Sequence, residues 1–287
     1  MTGSREPPRN LRSLATRIEN LARERGRPVK RIQRVIANTV VGQMLPAGVV
    51  KGGTAMKLRV GEQASRFTPD LDASRDRSLS LQEYLDRLDD GLAAGWEGFT
   101  ATLTRLPAPQ PEAVPAEYVM QPFDIRVAYL TRHWLTVRFE LGRDEVGSTA
   151  EAETRIAQDI LDMFSEIGLP EPAPLPVLAV EHQIAQKLHA CTTVNSATGA
   201  NERAHDLVDL QILEQEERID MAAVDALATR LFVARRGTPW PPTVRAYAGW
   251  DTIYAAAAEG LGVHTDVHAA VEWANDFIAR AARAGQA

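Results

Sequence analysis

The chain has 287 residues, 45% of them hydrophobic, and a single cysteine, Cys191. That is enough apolar material for one large or two modest domains, and a lone cysteine excludes an internal disulfide or a thiolate metal cluster. The formal net charge of −6 excludes a protein that coats nucleic acid by bulk attraction, which needs an excess of Lys and Arg.

The opening segment is polar and basic without an apolar leader core. No stretch approaches the roughly 18 consecutive apolar residues of a membrane span, so the chain reads as cytoplasmic with no membrane contact. Leu11, Leu14, Ile18 and Leu21, then Val29, Ile32, Val35, Ile36 and Val40, recur at helical spacing on either side of "RERGRP", which predicts two amphipathic helices. The same segment carries Arg5, Arg9, Arg12, Arg17, Arg23, Arg25, Arg27, Lys30, Arg31 and Arg34 against Glu6, Glu19 and Glu24. This is either a solvated basic face or a local nucleic-acid contact.

"GVVKGG" reads as a short buried strand ending at glycines, "TAMKLRVG" as a helix ended by Gly61, and "ASRFTPDLDAS" as a second strand. Leu81, Leu85, Leu88 and Leu92 mark another amphipathic helix. "FTATLTRL", "PFDIRVAYL" and "HWLTVRFELG" have strand character, the last two as an antiparallel hairpin. The prolines of "GLPEPAPLPVL" predict an extended link without regular structure. Helices follow over Val180 to Cys191, Ala204 to Glu217 and Met221 to Val233, with two more toward the C-terminus. The expected architecture is α+β, with a sheet-and-helix domain over 1–172 and a helical domain over 173–287.

On a strand, Asp70 and Asp72 project from one face, where like charges repel unless a cation sits between them. Mg²⁺ or Mn²⁺ takes such carboxylates together with substrate phosphates. Gly52 and Gly53 let a backbone approach a triphosphate at a helix start, and Thr54 could add a hydroxyl. A third carboxylate from a neighbouring strand is expected, with Glu140 as the candidate and Asp124 as its rival. The structural alternative for Glu140 is an exposed strand residue paired with arginine. Val180, Ile184, Leu188 and Cys191 form an apolar stripe that leaves Gln183 and Lys187 on an adjacent face, and Asp206 and Asp209 share a side of the next helix. A Lys187–Asp209 salt bridge is the structural reading of that pair. Arg235 and Arg236 are candidates for holding triphosphate or RNA backbone, or a charged helix end. Trp134, Trp250 and Trp273 read as core.

A strand ending in Gly-Gly, a short helix and a strand with D-x-D resemble the nucleotidyltransferase fold shared with polymerase β. The closer resemblance is to the AbiEii-type nucleotidyltransferase toxins of type IV toxin–antitoxin systems, including the mycobacterial MenT-like group. It rests on "KGGTA" (Lys51 to Ala55), "RFTPDLD" (Arg66 to Asp72), "VEHQIAQKLHA" and "RAHDLVDLQIL". His205, Ala73 and Pro69 depart from the pattern without removing an expected metal ligand.

The resemblance implies a polymerase-β-like nucleotidyltransferase that moves NMP from an NTP to the 3′ end of tRNA and so blocks aminoacylation and translation. It implies catalytic roles for Asp70, Asp72, Lys187 and Asp209, and metal ligation by Asp70 and Asp72, with Glu140 as the added third ligand. Nucleotide binding is expected of Gly52, Gly53, Thr54, Arg66 and Lys187. A cognate antitoxin, acting as a kinase on Thr68 in some relatives, is the expected partner. The alternatives are transfer to a small molecule or protein hydroxyl, or a non-catalytic nucleic-acid-binding regulator.

Overall fold

The computed structural model describes residues 6–108, 119–194, 198–235 and 238–286. Arg5 and Arg236 lie outside the described residues. Helices α1 (Leu11–Glu24) and α2 (Val29–Gly42) open the chain, followed by β1 (Gly48–Lys51), α3 (Gly52–Val60), β2 (Leu71–Arg75) and α4 (Leu81–Ala94). Strands β3 (Phe99–Arg105), β4 (Gln121–Tyr129), β5 (Arg132–Gly142) and β6 (Glu153–Arg155) come next, then α5 (Gln158–Ile167) and β7 (Leu175–Val177). The remainder is helical: α6 (Val180–Thr192), α7 (His205–Glu216), α8 (Met221–Arg235), α9 (Trp250–Ala258) and α10 (Val267–Ala284). This is the expected α+β architecture. Among the described residues no helix is long and apolar enough to cross a membrane.

Local chemistry sets the helix starts. Asn10 accepts from the Ser13 N–H while Ser13 reaches back to the cap, and Ser80 with Glu83 repeats the device for α4. Among the described residues seven strands form one sheet in the order β3-β4-β5-β2-β1-β7-β6. β4 and β5 are the expected hairpin, turned at Leu130 and Thr131, which both take positive φ as a two-residue hairpin loop requires. Alternation divides the sheet into two faces. Phe123, Ile125 and Val127 of β4 and Val137, Phe139 and Leu141 of β5 are buried, whereas Asp124, Arg126, Arg138 and Glu140 point the other way and are at least partly accessible.

One hydrophobic cluster joins the buried face to α1, α2, α4 and α5, and a second joins Met56 of α3 to α6, α7, α9 and α10. Arg59 of α3 links the two regions: its side chain is fully buried, donates to Glu153 of β6 at 2.9 Å and to the Leu178 carbonyl at 3.0 Å, and lies 3.3 Å from Glu217.

Three expectations need correction. The proline-rich link contains β7, because Pro176 can sit in a short strand when its missing N–H is not needed for pairing; Val177 aligns with Val50 of β1. The strand expected across "ASRFTPDLDAS" begins only at Leu71, so Thr68 and Asp70 precede it and the period-of-two argument does not apply to them. Side chains hold the preceding segment instead. Arg31 donates to Glu62 and to the carbonyls of Glu62 and Ser65, and Lys57 donates to Ser65 Oγ at 3.1 Å and the Arg66 carbonyl at 2.8 Å. Finally, much of the basic N-terminal face is engaged internally. Arg17, Arg25 and Arg34 donate to the carbonyls of Ile167, Asp159 and Thr136, and Arg27 to that of Gln63.

The Glu62 side chain has no solvent exposure, so removing it leaves Arg31 without its carboxylate. We expect Glu62→Ala to lower unfolding free energy by about 3–5 kcal/mol, measured by urea denaturation.

Candidate active site

The sheet register sets Lys51 of β1 opposite Asp72 of β2, and Asp72 beside Glu140 of β5. These three residues form a row across adjacent strands, about 4.8 Å per strand step. All three line a cavity of about 410 Å³, together with Gly52, Glu145, Lys187, Arg203 and Arg235 among others. Burial pushes the Asp72 carboxyl up to about 6, and the neighbouring charges of Glu140 and Asp70 add to the shift against the opposing effect of Lys51. Asp70 is raised chiefly by burial, while Arg34 and Arg138 act in the opposite direction. It stands just before β2 and is not part of the cavity wall.

The two candidates for a third carboxylate are separated by the sheet. Glu140 is next to Asp72 in register, whereas Asp124 lies one strand farther out, opposite Arg138 and 3.6 Å from it. Among the described residues no group of three His, Cys, Asp or Glu side chains forms a ready-made metal cage.

The glycines have different tasks. Gly52 has φ +64°, and a Cβ built there would fall 2.0 Å from Asp72 Oδ2. The carboxylate therefore occupies the space a side chain would take. A Cβ at Gly53 would meet Thr68 Cβ at 2.6 Å and Oγ1 at 2.7 Å. Gly53 thus faces Thr68, which is itself buried. Helix α3 starts at Gly52 without a side-chain cap, so the N–H groups of its first turn lack intrahelical acceptors. The Thr54 hydroxyl is not in the cavity. It accepts from Asn38 Nδ2 at 3.0 Å and donates to the Asp70 carbonyl at 2.9 Å, bracing the acid-bearing segment.

Lys187 reaches the cavity from α6, but its ammonium donates to Asp206 Oδ1 at 2.9 Å and Asp209 Oδ2 at 2.5 Å. The Lys187–Asp209 bridge is therefore present. Arg66 binds Asp209 through two 3.0 Å hydrogen bonds, and Arg203 binds Asp206 at 2.7 Å. Burial opposes charge on both aspartates, yet the surrounding cations hold both below the usual carboxylate range. Asp209 and Arg66 lie behind the cavity wall, Arg66 bound to Asp209, rather than lining it.

The sequence marks Lys51 only as part of a motif and gives no link between Arg235 and Glu145. Arg235 holds Glu145 through bonds of 3.2 and 2.6 Å, and Gln186 donates to the same carboxylate at 3.0 Å. His189 lies beside them; burial and Arg235 pull it down to about 4, so the ring is neutral at physiological pH. The available signal for Lys51 was its position directly before the glycines. The 90-residue separation of Arg235 and Glu145 left none.

A cavity with adjacent strand carboxylates, a glycine-started helix and a cationic wall suits a phosphorylated substrate. The family model of the nucleotidyl transferase AbiEii toxin of type IV toxin–antitoxin systems matches residues 40–280. The chain belongs to this AbiEii family. It is a nucleotidyltransferase of that family, and membership implies an NTP substrate and an antitoxin partner. In fold it is similar to MenT4, a nucleotidyltransferase toxin from Mycobacterium tuberculosis H37Rv, with a TM-score of 0.52, 18% identity, and coverage of 93% of this chain and 98% of that one. Comparison with curated sequences gives no match.

Gly52→Ala should separate folding from function in this AbiEii-family protein. A positive φ in a non-glycine residue costs about 1–2 kcal/mol, and the added methyl displaces Asp72. Circular dichroism is expected to show a folded protein, while nucleotidyl transfer falls by about a hundredfold.

Proposed function

We propose that the protein transfers NMP from an NTP to the hydroxyl at the 3′ end of tRNA, so blocking aminoacylation. The observation that carries the nucleotidyl-transfer chemistry is the placement of Asp72 and Glu140 side by side in a cationic cavity, with Asp70 close enough to influence Asp72 electrostatically. The tRNA acceptor rests on likeness to the family.

Two adjacent carboxylates, one of them raised by burial and further by its acidic neighbours, are donors suited to Mg²⁺ or Mn²⁺, and such ions commonly take one or two carboxylates plus substrate phosphates. Asp72 and Glu140, with Asp70 beside them, would hold the ion. When bound, it neutralises charge on the α-phosphate and lowers the acceptor hydroxyl's pKa. Gly52 keeps the backbone clear of the Asp72 carboxylate, and the uncapped start of α3 offers N–H groups to phosphate oxygens. Lys187, fixed by Asp206 and Asp209, positions the α6 wall and adds positive potential. Arg66 acts through Asp209 and holds the segment leading to Asp70. In this reading residues 1–172 form the nucleotidyltransferase part together with β7, which the sheet places between β1 and β6, and the helices that follow β7 contribute Lys187 and Asp209.

The test is to incubate the protein with bulk tRNA, Mg²⁺ and each of four α-labelled NTPs, with Asp70→Ala and Asp72→Ala in parallel. Label should enter tRNA with one or two NTPs and fall by about a thousandfold in either variant, the equivalent of about 4 kcal/mol of transition-state stabilisation. Folded wild-type protein that labels small molecules or protein but not tRNA would replace the acceptor. No transfer to any acceptor would overturn the reading.

Regulation by an antitoxin kinase at Thr68 belongs to the same proposal. Because that hydroxyl is packed against Gly53, its modification requires the segment around it to open. A phosphate there would place about two negative charges beside the glycine turn and repel an incoming triphosphate. Intact-mass measurement after co-expression with the antitoxin should show one added phosphate, absent from Thr68→Val; an unmodified mass would remove this element.

A further inference from the structure

Four of the cations lining the cavity are Lys51, Lys187, Arg203 and Arg235. Three have carboxylate partners. Lys187 donates to Asp206 and Asp209 at 2.9 and 2.5 Å, Arg203 meets Asp206 at 2.6 Å, and Arg235 meets Glu145 at 2.6 Å.

Lys51 differs. It is only 9% exposed, yet among the described residues its ammonium has neither a hydrogen bond nor an ion pair within 4.0 Å. Its ammonium lies against Gly142, where a Cβ would come within 2.9 Å of Nζ. Burying an ammonium without acceptors is costly, and the more distant charges of Glu145, Asp72 and Glu140 only partly offset the loss of hydration. All three of its N–H donors remain available in a cavity that also contains the start of α3.

Resting on the nucleotidyl-transfer reading above, we propose that Lys51 is the residue that grips the polyphosphate of the incoming NTP and the pyrophosphate that leaves. Lys187 is then a positioning residue. The geometry favours this division because Lys51 stands one strand from Asp72, beside the carboxylates that would hold the ion. A phosphate oxygen would supply the acceptors Lys51 lacks, and a lysine is suited to this task as a compact point charge. Lys187 has no comparable freedom while both aspartates hold it.

The test compares wild type, Lys51→Met and Lys51→Arg in transfer kinetics and in calorimetry with Mg²⁺ and pyrophosphate. Lys51→Met should raise the KM for NTP and the Kd for Mg²⁺–pyrophosphate by about ten- to a hundredfold, with a smaller change in kcat. Lys51→Arg should recover part of the loss. Unchanged pyrophosphate affinity in folded Lys51→Met would overturn the assignment. Should that variant not fold, the wild type is treated with pyridoxal phosphate and borohydride and mapped by mass spectrometry. Labelling of Lys51 suppressed by Mg²⁺–pyrophosphate supports the assignment, and absent or unsuppressed labelling overturns it. A wild type that binds pyrophosphate through Lys51 but transfers no nucleotide would defeat the functional reading while leaving the site intact.

Discussion

The buried charge cluster around Asp206 and Asp209 is the constraint on which the site's shape depends. Two carboxylates with no solvent exposure meet Lys187, Arg66 and Arg203. Such groups lose their hydration on folding and are tolerated only when opposite charges and hydrogen bonds replace it. Each participant therefore has little freedom to move alone. Arg66 comes from the segment leading to Asp70, Lys187 from α6, and the aspartates from α7. The cluster consequently fixes the helical wall relative to the strand that carries Asp72.

Within that frame the sheet register performs a second task. Strands hold Lys51, Asp72 and Glu140 in a line at a spacing the backbone dictates. Their mutual field cannot be relieved by moving the main chain without breaking strand pairing. Gly52 closes the remaining route, since the Asp72 carboxylate fits against its Cα only because no Cβ is there. Two like charges beside a partner-poor ammonium are a poor arrangement for stability alone. In the proposed reading a cation and phosphate would complete the neutralisation.

The parts of this arrangement legible in the sequence were local. Apolar spacing located α1, α2, α4 and the C-terminal helices, and Gly-Gly followed by D-x-D marked the acid-bearing segment. The α5 signal was also present, since Ile160, Met163, Phe164 and Ile167 recur at helical spacing and are buried. β6 and β7 span only three residues each, too short to show a period. Long-range pairing was less accessible still. Nothing near Arg66 indicates that its partner lies 143 residues away, and neither Glu140 nor Asp124 announces which one the register sets beside Asp72. Resemblance identified Lys187 and Asp209 but could not distinguish contact with substrate from the support of a neighbouring residue.

The same distinction shows in the basic opening segment of this acidic protein. Arg17, Arg25, Arg27, Arg31 and Arg34 direct donors to carbonyls elsewhere in the chain, where a planar guanidinium can satisfy several acceptors at once. These interactions clamp the first two helices to α5, β5 and the segment before β2. Charge used in this way contributes to shape more than to attraction at a distance. The cavity reverses the emphasis at Lys51, whose charge is buried but whose donors are unfilled. Residue type alone does not separate these roles: an arginine saturated by carbonyls is a brace, while a lysine held near acids but bonded to none retains capacity for a ligand.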